Sequence, residues 1–173
     1  MISLPVFFWI FVVLFAIIGA IRGWAKEIMV TFSGIVAIFI IAVLLPLINK
    51  SLSASSLFWA QMIIFMAVIF FGYQTPNFRR LAESGRFVRD TLRDSVFGVM
   101  LGAINGYMIV GSLWYYLDKA GYPLTFITAP DAASSVGVAA ANILKVVAPV
   151  LLGGNVIFFA VGIAFVIVLV MFI

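Results

Sequence analysis

The sequence predicts an all-α fold, a polytopic transmembrane helix bundle with four or five spans. Three observations carry this. The chain of 173 residues is 66% hydrophobic, with a mean hydropathy of +1.31, where a soluble domain has about 45–50% apolar residues. Only 9% of its residues are charged, against about 25% in soluble domains, too few to cover a water-facing surface. Apolar runs of roughly 20 residues, the length a helix needs to cross a hydrocarbon core about 30 Å thick, fill most of the chain. A backbone in lipid must satisfy its own hydrogen bonds, so spans are helices or closed barrels. The runs are continuous rather than alternating, which selects helices.

The elements follow in order. The first span covers about 4–21. It has no basic segment before it and no small-residue cleavage site after it, so a cleaved signal peptide is not expected. The second covers about 28–48 and is closed by Pro46 and the polar stretch Asn49-Lys50-Ser51. The third covers about 57–73 and ends before Thr75-Pro76, and the fourth covers about 95–117. Residues 1–150 form the expected membrane core, and 151–173 add a C-terminal transmembrane helix from about Asn155 to Ile173.

Two connections stand out. Between Pro76 and Asp94 lie Arg79, Arg80, Arg86, Arg89 and Arg93, with Glu83, Asp90 and Asp94 among them. Phe78, Leu81, Val88, Leu92 and Val96 recur at helical spacing, which reads as an amphipathic segment on the membrane surface. Its arginines are candidates for contacts with anionic lipid headgroups, or serve only to set topology. The stretch from Asp118 to Gly154 begins turn-rich, with Gly121, Pro123 and Pro130. It continues as a mildly apolar segment, about 132–152, carrying Asn142, Lys145 and Pro149. That segment reads as an interfacial or re-entrant helix rather than a span. The first and third connections hold seven basic residues, against Lys50, Lys119 and Lys145 on the other side. The positive-inside rule then places the N-terminus outside and, with five spans, the C-terminus at the cytoplasmic face.

With no Cys and no His, thiol chemistry, His-based general acid–base catalysis and His or thiolate metal ligation are excluded. The spans as drawn contain no ionisable residue, which argues against a proton-coupled pump. No nucleotide-binding loop of the form GxxxxGK[ST] occurs. No enzymatic activity, catalytic residue, metal or cofactor is expected, nor a nucleic-acid partner. The expected partners are the bilayer and other membrane subunits or a second copy of the chain.

Two motifs stand out. In the fourth span Gly98, Gly102 and Gly106 lie four apart on one helix face, with Ala103 and Gly111 nearby. Such a face admits another backbone closely, either within the bundle or between copies. Asn105 beside it can bond to a neighbouring helix. The second motif runs from Gly19 to Glu27 and brings Gly19, Arg22, Gly23, Lys26 and Glu27 to the end of the first span. Its plain reading is a topology anchor with a Lys26–Glu27 surface pair and Trp24 in the aromatic belt. Its functional reading is a charged patch that pairs with Asp90 or Asp94.

At these motifs the chain resembles the colicin V production protein (CvpA) family of small bacterial inner-membrane proteins. The family pattern G-x-x-R-G-x-x-x-E is similar to Gly19, Arg22, Gly23 and Glu27. The pattern D-R-x-x-G-x-x-x-G-x-x-[RK]-G is similar to Asp94, Gly98, Gly102 and Gly106. Ser95 stands where the family usually has Arg, and Asn105 where it usually has a basic residue. The resemblance covers roughly residues 1–150. It implies a non-enzymatic scaffold or accessory in secretion or envelope maintenance, linked with colicin V production and hence toxin biosynthesis. Two other readings fit the composition. One is an accessory subunit of a larger respiratory or photosynthetic complex. The other is a small-solute transporter or channel lined by Gln61, Gln74 and Asn105.

Overall fold

A computed structural model describes residues 3–48, 53–74 and 91–172. Among them the chain is helical, with no strand. Helix α1 is Leu4–Arg22 and α2 is Trp24–Phe39, followed by a π-helical turn, Ile40–Leu44, and the short α3, Leu45–Ile48. Then come α4 (Ala54–Tyr73), α5 (Thr91–Lys119), α6 (Ser135–Leu144), α7 (Ala148–Leu151) and α8 (Val156–Phe172). Among the described residues four segments are long and apolar enough to cross a membrane: Leu4–Arg22, Trp24–Leu47, Ser55–Tyr73 and Leu92–Lys119. The chain is a multi-pass membrane protein.

Local chemistry explains the boundaries. Pro5 occupies the first turn of α1, where its missing N–H costs nothing. α1 and α2 are joined by Gly23 alone, at φ 84°, a conformation that favours glycine. Pro46 lacks an N–H and its ring collides with the carbonyl four residues back. The preceding turn widens, and the Leu45 N–H reaches Ile40 O instead. Pro46 therefore deforms the second span without ending it. The Ser53 and Ser134 hydroxyls accept from the N–H groups of Ser56, at 3.2 Å, and Gly137, at 3.0 Å, capping α4 and α6. α5 ends on two left-handed residues, Gly121 and Tyr122, with the Tyr122 N–H bonded to Leu117 O at 3.0 Å. The Trp114 indole donates to the Tyr122 hydroxyl, which donates to Asp118. Burial pushes the Tyr122 phenol above its ordinary range, opposed by the Trp114 hydrogen bond and reinforced by the Asp118 charge.

α2 and α5 form the centre. α1 lies along α5, while α4 and α8 lie against α2. Val30, Ile38, Phe65, Met108, Tyr116 and Ile157 share one buried cluster, and Phe8, Val12, Val110, Trp114 and Ala140 form a second. The outward faces of α1, α4 and α8 are apolar, with Ile21, Phe71 and Val170 among the most exposed side chains, as lipid contact requires.

α6 and α7 are too short to cross a bilayer. They wedge against α1 and α5 near the Lys119 end, with Val147 fully buried against Gly111. At the break between them the Val146 carbonyl accepts from the Tyr107 hydroxyl at 3.0 Å. Gly111 is eight residues from the end of α5, about 12 Å along the axis, so the wedge is shallow. α8 has 17 residues, about 25 Å of helix, at the short end of the spanning range. Its Ile157 and Ala164 are buried, and Phe158 meets Phe39 edge-on with ring centroids 5.9 Å apart.

Candidate functional site: a buried polar cluster

The geometry of the site begins with glycine. A Cβ at Gly102 would fall on the Phe15 carbonyl oxygen and lie 3.0 Å from Gly19 Cα. One at Gly98 would fall on Gly19 O, and one at Gly106 would lie 3.0 Å from Val12 Cα. These three glycines of α5, with Gly19 of α1, bring the two backbones into direct contact. The face is filled within the chain by α1. Ser95 follows the same seam, its hydroxyl donating to Ala20 O at 2.9 Å.

This close seam delivers the start of α2 to the side of α5. Asp94 receives the Trp24 N–H at 3.2 Å and so caps α2 from another helix. A side chain at Gly23 would strike the Asp94 carboxylate, 2.8 Å away. One turn further on, Glu27 is fully buried. Its Oε1 accepts from Arg22 Nη1 at 2.8 Å and its Oε2 accepts from Asn105 Nδ2 at 2.8 Å. The same amide nitrogen donates to Glu27 O at 2.9 Å, and the Asn105 Oδ1 accepts from the Thr31 hydroxyl at 2.7 Å. Arg22, about one-fifth exposed, also donates to Tyr73 O at 3.3 Å and stacks over the Tyr73 ring at 4.3 Å. One cluster thus ties together α1, α2, α4 and α5.

Asn105 lies eleven residues beyond Asp94 on α5, about 16 Å along the axis, and Glu27 lies in the first turn of the apolar segment Trp24–Leu47. A bare carboxylate buried within such a segment is expensive. Here both oxygens are engaged, one by a cation and one by an amide. Each contact is short enough to be a charge-assisted hydrogen bond.

Three expectations are corrected. The spans do contain an ionisable residue, because α2 starts at Trp24 and carries Glu27 inside it. Glu27 forms no surface pair with Lys26, since it points into the bundle toward Arg22. The functional reading of the first motif paired its charges with Asp90 or Asp94, and among the described residues the bonded partner of Asp94 is the Trp24 backbone amide. Asp90, Arg79, Arg80, Arg86 and Arg89 lie outside the described residues, as does most of the amphipathic segment expected there. Its last apolar members, Leu92 and Val96, belong to α5 and are exposed, as is Arg93. Gln61 and Gln74 take no part in the cluster, and Gln74 is the exposed residue that ends α4. Thr31 and Tyr73 were not singled out from sequence. Thr31 is readable in hindsight, one turn beyond Glu27 on the same face of α2. Nothing local marks Tyr73, which arrives from a different helix.

Among the described residues no group of three or more His, Cys, Asp or Glu could hold a metal ion. The chain matches no protein-family model, no curated protein and no solved structure.

Proposed function

We propose that this chain is a non-enzymatic inner-membrane protein of the colicin V production kind, a scaffold or accessory in secretion or envelope maintenance. One observation carries the reading. Four polar side chains of the two motifs are engaged inside the bundle: Glu27 with Arg22 and Asn105, Asn105 also with Thr31, and Asp94 with the backbone at the start of α2. Side chains so engaged fix helices in place. The motif spacing from Gly19 to Glu27 and from Asp94 to Gly106 supports kinship with that family. Bacterial origin, and an orientation with the Arg22 end of the bundle in the cytoplasm, follow from that kinship and from the excess of basic residues at this end.

Gentle extraction into nanodiscs at native expression, followed by identification of co-purifying proteins, tests the proposal. A stoichiometric set of membrane partners from the secretion or envelope machinery is expected. Catalytic turnover by the purified protein, or solute flux through it in proteoliposomes, would overturn it.

A further inference from the structure

We draw no further inference here: the strongest candidate, the apolar notch on the outer face of α8 where Gly162 lies open between Phe159 and Val166, is an unpartnered helix face, and nothing in the structure shows what covers it.

Discussion

Replacing Asn105 with Ala isolates the polar cluster from the rest of the bundle. The substitution removes two donated bonds, to Glu27 O at 2.9 Å and Glu27 Oε2 at 2.8 Å, and the acceptor of the Thr31 hydroxyl at 2.7 Å. In water a hydrogen bond to a charged group contributes about 1.5–3 kcal/mol, and an abandoned buried acceptor costs about 1–3. Within membranes interhelical bonds average about 0.6 and reach about 2 kcal/mol, because the separated helices find other partners. Three bonds on that lower scale, with the charge-assisted one near its upper end, give a loss of about 2–3 kcal/mol. Reversible unfolding in bicelles, by steric trapping or SDS titration, measures it. Thr31→Val removes one bond of the same set and should cost about 1 kcal/mol or less. The double variant should be less destabilised than the sum of the two by roughly 0.5–1 kcal/mol, since one bond is counted twice. Strict additivity, or an Asn105→Ala loss below about 0.5 kcal/mol, would refute the reasoning.

The remaining predictions concern the rest of the assembly. Arg22→Ala leaves a fully buried carboxylate without its cation and should cost about 3–5 kcal/mol in the same assay. Arg22→Lys should recover only part of that, because an ammonium cannot serve Glu27 and Tyr73 O with the same fork. Gly102→Ala drives a methyl into the α1 backbone and should lower stability by about 1–3 kcal/mol. Gly162→Ala, whose Cβ meets nothing within 4 Å, should be neutral or slightly stabilising in the same measurement. Asp94→Ala removes the cap on α2 and should cost about 1 kcal/mol, whereas Asp94→Asn, which keeps an acceptor, should lose less than half of that.

The legibility of this fold in its sequence follows from the solvent. Lipid requires continuous apolar helices, so the spans can be read from hydropathy with errors of a few residues at their ends. The glycine spacing in α5 indicates a close helix contact. It does not indicate the partner, because α1 and a second copy offer the same kind of surface. Glu27 is where a sequence-only reading goes wrong. Beside Arg22 and Lys26 it looks like part of a polar surface turn. Gly23, however, joins two helices with no loop and carries Glu27 one turn into the bundle. Only the seam through Gly19, Gly98 and Gly102 places Asn105 there to meet it. That coincidence of three helices has no local signature. Pro46 illustrates the same limit, since a proline that ends many helices is here absorbed by a π turn.

The account rests on Glu27 being an intramembrane carboxylate held by Arg22 and Asn105. Solid-state NMR dipolar recoupling between the labelled Glu27 carboxyl carbon and the side-chain nitrogens of Arg22 and Asn105, in lipid bilayers, measures this directly. Separations of about 4 Å or less to both, as the hydrogen-bond lengths require, are predicted. A Glu27 carboxyl more than about 6 Å from both nitrogens, facing water beside Lys26, would contradict it.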